Sequence, residues 1–305
     1  MRTGTRPSRR GGFTLIELLV VIAILASMVA LTIGIIGSVR VGQQNSTTEG
    51  TVKKLQVGLN QLRTAVIDEA TSDKNPYLPT VLPWCDNDKD IAKAVLSYLY
   101  MKREFPQTFA EARAGLVVPG VISIPSHRAF ADLPAGNYSA EQEAAVLLQK
   151  IVTGKANRGT TIDADGSFAG AETIVPGPNA QGYKDGFGNY IIFQRFADST
   201  EINNPPYVRA AGGQNDPLDP TGKLRGWNNA KRTQVFALVN SSAGASVLPG
   251  NTFDGRNRML TVISAGANRN EDNNGVGWAN GADGWLGGDN VLGFRLAKLG
   301  GRGAN

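Results

Sequence analysis

The chain is poor in the residues from which many active centres are built. It has one cysteine, Cys85, and one histidine, His127, in 305 residues. A lone cysteine excludes an intrachain disulfide and any cysteine-based zinc site. A lone histidine excludes multi-histidine metal sites and leaves little from which to build a hydrolytic triad. His127 and Cys85 are therefore expected to be structural, Cys85 as an inert thiol beside Trp84. Excess charge is also scarce outside one segment. The net charge is +5, but four of the 31 basic residues (Arg2, Arg6, Arg9, Arg10) fall in the first twelve positions, which hold no acid. Beyond them 27 Lys and Arg face 26 Asp and Glu, so no basic surface for nucleic acid is expected. With 41% hydrophobic residues, 37 Gly and 15 Pro, the chain is neither collagen-like nor disordered throughout, and is long enough for a real core.

What the chain does have is a long hydrophobic run. Residues 1–12 (MRTGTRPSRRGG) are polar and basic; Phe13 to Val39 then gives 27 residues with one charge, Glu17. A bilayer core of roughly 30 Å takes about 20 apolar residues of helix, so the run is long enough to span it. The leading basic residues keep residues 1–12 in the cytoplasm and send the remainder outward. A secretory signal peptide would need a shorter run and a small-x-small cleavage site. A plain membrane anchor fits the length but leaves Glu17 unexplained, because a carboxylate in hydrocarbon is costly and marks function by default.

Arg9-Arg10-Gly11-Gly12-Phe13-Thr14-Leu15-Ile16-Glu17-Leu18-Leu19 resembles the cleavage and methylation site of type IV prepilins and type II secretion pseudopilins. The resemblance implies a cut by prepilin peptidase between Gly12 and Phe13, N-methylation of Phe13, and Glu17 as the fifth mature residue. Glycine at the cut lets backbone enter a narrow site. Cleavage creates an ammonium at Phe13, and Glu17 is the carboxylate that could pair with it on a neighbouring subunit. Two buried charges are tolerable only as a pair, which would select one axial register in a filament.

The run continues with Val52, Leu55, Leu59, Leu62 and Val66, a helical stripe, so one long helix is expected over 13–70, weakened in its middle by Gly34, Gly37, Gly42 and Gly50. The expected fold is α+β, a pilin-like lollipop: a cleaved leader (1–12), the long helix (13–70, transmembrane over 13–39) and a periplasmic head (71–305). Residues 71–79 read as a turn-rich linker. Within the head, 86–155 reads as a helical insert, with helices over 87–104, from Pro106 to Leu116, and over 144–151 behind a Ser139/Gln142 capping box. Strands are expected over 190–196, 233–240 and 260–264, within a sheet-and-loop region of about 185–298.

Asp185-Gly186-Phe187-Gly188-Asn189-Tyr190 resembles the turn that leads into the sheet of major pseudopilins, although its proline and tryptophan are replaced. Ser264-Ala265-Gly266 and the stretch Gly281–Val291 resemble the calcium loop of the same family, with Asn290 in place of a second aspartate. The chemistry points the same way: residues 268–290 hold six Asn, three Asp, one Glu and six Gly, oxygen ligands on a chain that can wrap a cation. Asp283 and Asp289 are the first candidate calcium ligands, and Asp272 the third. Asp163-Ala164-Asp165-Gly166 is a weaker version of the same pattern, and turns alone account for such composition elsewhere.

The expectation is a non-enzymatic subunit of a homo-oligomeric helical filament, anchored by a single pass in a bacterial inner membrane with its head in the periplasm. Its implied partners are prepilin peptidase, other pilin or pseudopilin subunits, and an inner-membrane assembly platform driven by a cytoplasmic ATPase. Two readings stand beside the secretion pseudopilus. One is a type IV pilus or pilin-like surface subunit. The other is a membrane-anchored binding head that uses the leader only for export.

Overall fold

The computed structural model describes residues 14–154, 180–197, 216–240, 259–264, 266, 291–293 and 295–296, with backbone alone over 31–38 and at Asn240. The chain divides into two compact units, Met1–Asn45 and Ser46–Asn305. Helix α1 (Leu15–Thr71) supplies residues to both. In the first unit the large apolar side chains from Leu15 to Val29 are exposed, from 46% at Val21 to 82% at Leu15. Among the described residues, no helix is long and apolar enough to cross a membrane; the expected span runs on into 31–38, where the backbone alone is described.

In the second unit the expected stripe is the spine of the core. Val52, Leu55, Leu59, Leu62 and Val66 are all buried, and Ala70 extends the row. Asn75 ends α1 by donating to the carbonyls of Glu69 and Ala70. The supposed linker then passes into a short helix, α2 (Leu78–Trp84), with proline in its first turn, where the missing N–H costs nothing. Helix α3 (Lys89–Glu104) starts at the Asp88 cap, whose carboxylate accepts from the N–H groups of Asp90 and Ile91. Its burial is not confined to one face: ten consecutive positions from Ala92 to Met101 include nine that are buried.

Pro106 does not open the next helix. Thr108 caps α4 (Phe109–Ala114), and the chain leaves it as a hairpin of β1 (Leu116–Val118) and β2 (Ile122–Ile124). Gly115 makes that exit possible. Its φ is +64°, and a Cβ there would come within 2.9 Å of the Ile124 carbonyl oxygen. The insert is thus helical with a strand pair set into it. The Ser139–Gln142 capping box forms as expected and starts α5 (Ala140–Thr153), which Gly154 ends.

The main sheet is antiparallel in the order β3 (Ile191–Ala197), β4 (Met259–Ser264), β5 (Val291–Leu292). The strand expected over 233–240 is instead part of helix α6 (Asn229–Asn240). Asn228 accepts from the N–H groups of Ala230 and Lys231, and Val235 and Val239 are buried at a spacing of four. The β-branched run there was apolar enough for a strand, but local capping and helical packing prevail.

Two polar devices fix the sheet. Between Gln194 and Ala197 the β3–β4 register slips, so Arg195 and Phe196 both turn toward the helices. Arg195, 1% exposed, donates to Glu111 Oε1 at 2.7 Å and to the Phe105 carbonyl at 3.0 Å, and lies over the Phe196 ring. Lys102 stands 3.6 Å from the same carboxylate, and burial holds its ammonium below the ordinary value despite that neighbour. The second device is Gln56 of α1. Strand β5 pairs with Ile263 and Ser264. Next along β4, the Gln56 carboxamide accepts from the Val262 N–H at 2.8 Å and donates to the Leu260 carbonyl at 2.7 Å. Among the described residues no strand pairs with β4 at this point, and the carboxamide takes both groups. A Cβ on Gly293 would collide with it.

Candidate processing and assembly site

Gly12 and Phe13, the two sides of the expected cut, lie outside the described residues, which begin at Thr14. Immediately after them the chain becomes helical, and Glu17 takes part in starting the helix. The Thr14 N–H donates to Glu17 Oε2 at 2.8 Å, the Thr14 hydroxyl donates to the same oxygen at 2.9 Å, and the Glu17 N–H donates back to the hydroxyl at 3.3 Å. This is a reciprocal capping box. It satisfies donors that a helix start leaves open, and puts a negative group where the helix dipole favours one. Glu17 is therefore held on the side of the helix start nearest the expected cut, with its position set by Thr14. The T-x-x-E spacing was legible in the sequence, although only the glutamate stood out there.

A second cluster joins two stretches that the sequence singled out. The Asp185 carboxylate accepts from the N–H groups of Phe187 and Asn189 through Oδ1, at 2.9 and 2.8 Å, and from the Ser264 hydroxyl through Oδ2 at 2.7 Å. The Asn189 amide donates to the Gly266 carbonyl at 2.7 Å. Thr48 of α1, fully buried, accepts from the Gly186 N–H. The turn 185–190 and the segment around Ser264 are thus one polar joint, fastened to α1. Thr48 gave no sequence signal beyond being a polar residue on the apolar side of a helix.

The three candidate calcium ligands, Asp272, Asp283 and Asp289, lie outside the described residues, as do Asp163 and Asp165. Among the described residues no group of three His, Cys, Asp or Glu is placed to hold a metal. At the foot of the candidate loop, Ser264 Oγ and the Gly266 carbonyl are already engaged by Asp185 and Asn189. Cys85 is fully buried, and burial pushes its thiol up to about 12, which makes it a poor nucleophile at neutral pH. His127 caps a 3-10 turn (Arg128–Phe130), its Nδ1 accepting from the Ala129 N–H.

Residues 7–33 match the family model of the prokaryotic N-terminal methylation motif. That motif indicates a type IV pilin-like precursor, of the kind that prepilin peptidase processes and that assembles with other pilin-like subunits. It supports inner-membrane anchoring before a filament forms. No curated protein and no solved structure gives a significant match to the chain.

Proposed function

We propose that this chain is a non-enzymatic structural subunit of a type II secretion pseudopilus. The methylation motif over residues 7–33, with Glu17 fixed at the helix start, carries this reading. Prepilin peptidase cuts between Gly12 and Phe13 and methylates Phe13. The new ammonium then lies next to a Thr14–Glu17 pair whose carboxylate is already oriented. On docking, Glu17 of one subunit pairs with the ammonium of the next, and the exposed apolar side chains from Leu15 to Val29 exchange lipid for neighbouring helices. The inner-membrane platform and cytoplasmic ATPase supply the work. The joint at Asp185 and Ser264 supports the pseudopilin assignment, since it unites two stretches that resemble that family.

Mass spectrometry of the N-terminal peptide, on protein recovered from membranes, tests the processing. A chain starting at Phe13 with one added methyl is expected; a start near Met1 would reduce the reading to a simple anchor. Glu17→Ala should abolish filaments while leaving cleavage largely intact. Deletion in the native host separates the remaining readings: loss of exported proteins from the medium supports the pseudopilus, and loss of surface fibres alone supports a type IV pilus. Retention of both supports a binding head that uses the leader only for export.

We also propose a calcium ion held by residues 268–290, with Asp283 and Asp289 as ligands and Asp272 as a third. The oxygen-rich, glycine-rich composition supports it. Added calcium should raise the melting temperature of the chain, and Asp283→Ala with Asp289→Ala should erase that rise. Equal melting in calcium and in chelator would remove the site.

A further inference from the structure

Helix α1 starts just past the expected cut. Leu15 is its first residue, and its first helical bond runs from the Leu18 N–H to the Thr14 carbonyl at 3.2 Å. A helix extended by another turn toward the N-terminus would bond the Glu17 N–H to the Phe13 carbonyl and the Ile16 N–H to the Gly12 carbonyl. It would also carry the Thr14 N–H to the Arg10 carbonyl. Two of these three donors are engaged elsewhere. The Glu17 N–H donates to the Thr14 hydroxyl at 3.3 Å, and the Thr14 N–H donates to Glu17 Oε2 at 2.8 Å. The reciprocal cap therefore competes directly with the bonds that would draw Phe13 and Gly12 into the helix. Upstream, only Gly11 and Gly12 resist extension, at roughly 1 kcal/mol each.

Extension matters because of what a peptidase needs. An amide inside a helix has its carbonyl committed to an N–H four residues on, whereas an extended segment offers its backbone groups to a partner. We propose that Thr14 is a positioning residue for processing: its cap stops α1 at Leu15 and keeps the Gly12–Phe13 amide out of the helix, open to the peptidase. This role presupposes the processing step proposed above, in which water adds across that amide and leaves a carboxylate on Gly12 and an amine on Phe13. The motif match over residues 7–33 points to a processing enzyme here independently of the capping geometry. The two members of the box then have separate tasks. The Thr14 hydroxyl can hold the Glu17 N–H whether or not residue 17 carries a carboxylate, so loss of that carboxylate spares cleavage while loss of the hydroxyl does not.

The test uses the full chain in detergent micelles with purified prepilin peptidase, and initial rates over a range of chain concentrations. Thr14→Ala and Thr14→Val remove the cap, the second while keeping the shape of threonine. In both, KM should rise by up to about fivefold, the population ratio that a lost N-cap produces. The value of kcat should stay unchanged, because the extended fraction is cut as before. Thr14→Ser and Thr14→Asn cap as well and should keep the wild-type KM. Glu17→Ala should stay close to it. In the same micelles, 13C carbonyl shifts at Gly12 and Phe13 should move toward helical values in Thr14→Ala and not in Thr14→Asn. A wild-type KM in Thr14→Ala would overturn the proposal. So would a loss in Thr14→Ser and Thr14→Asn equal to that in Thr14→Ala, since the enzyme would then be reading threonine itself. Slower cutting of Thr14→Ala with unmoved carbonyl shifts would overturn it too. A wild-type chain that the peptidase leaves whole would remove the processing step itself, and this role with it.

Discussion

The two units hold different stretches of one helix, a nearly continuous apolar run over 15–29 and an amphipathic stripe over 52–70, and their apolar side chains meet opposite conditions. From Leu15 to Val29 the large apolar groups are exposed; from Val52 to Ala70 the stripe is buried. Their carboxylates differ in the same sense. Glu17 accepts hydrogen bonds from Thr14 in its own first turn. Glu111 accepts across the fold from Arg195, 84 residues away, with Lys102 close by. In the head, the chain supplies partners for both its apolar and its charged groups. In the N-terminal stretch it supplies a helix cap, and the described large apolar side chains stay exposed. The first pattern specifies a fold; the second is the one the proposed assembly interface requires.

The sharpest way to break this comparison is to remove a charge from the head. Arg195→Met leaves Glu111 buried with a weaker neighbour, and should cost about 3–5 kcal/mol in chemical denaturation. Next in size is a pair of matched truncations. Leu59→Ala should lower stability by about 2–5 kcal/mol, whereas Leu18→Ala should leave the unfolding midpoint of the head within error and reduce filament yield. Equal effects of the two on unfolding would erase the distinction drawn here. Gln56→Ala strands the Val262 N–H and the Leu260 carbonyl, for a loss of about 1–3 kcal/mol, and the central sheet should show the largest rise in hydrogen exchange.

The smallest effect concerns the surface. Lys231 holds the Asp86 carboxyl, and Lys223 the Asp88 carboxyl, below the ordinary carboxylate range. A depressed carboxyl contributes stability above its unfolded value of about 4 that is lost as pH falls through the folded value. The double variant Lys223→Met, Lys231→Met should therefore flatten the acid limb of a stability–pH curve below about pH 4, and leave the neutral region little changed.

Much of this was legible in the sequence because it was local. The stripe at spacings of three and four and the Ser139–Gln142 box depend on neighbours a few residues away, and the strands near 191–197 and 259–264 carry their apolar, β-branched signal within their own segments. Cys85 was readable as inert from its isolation. What was not legible is what long-range packing decides. Residues 233–240 are apolar enough for a strand, and became helix because Asn228 caps them and Val235 and Val239 find a core. The short strands at 116–118 and 122–124 depend on pairing with each other and on the backbone of Gly115. Of the candidate site, the motif at Gly12, Phe13 and Glu17 was visible, while the joint between Asp185 and Ser264 spans 79 residues and needed the fold to appear.

The Gln56 carboxamide has a consequence for crowding. An open stretch of strand is a template on which a neighbouring chain can pair, and the hazard grows with local concentration. In the filament proposed above, subunits would hold their heads at high local concentration. The Gln56 amide takes up the free groups of Leu260 and Val262 inside the core, so this stretch of β4 offers no open pairing groups to another chain. In the proposed filament, closely spaced heads would meet no unpaired strand groups at this point of the sheet.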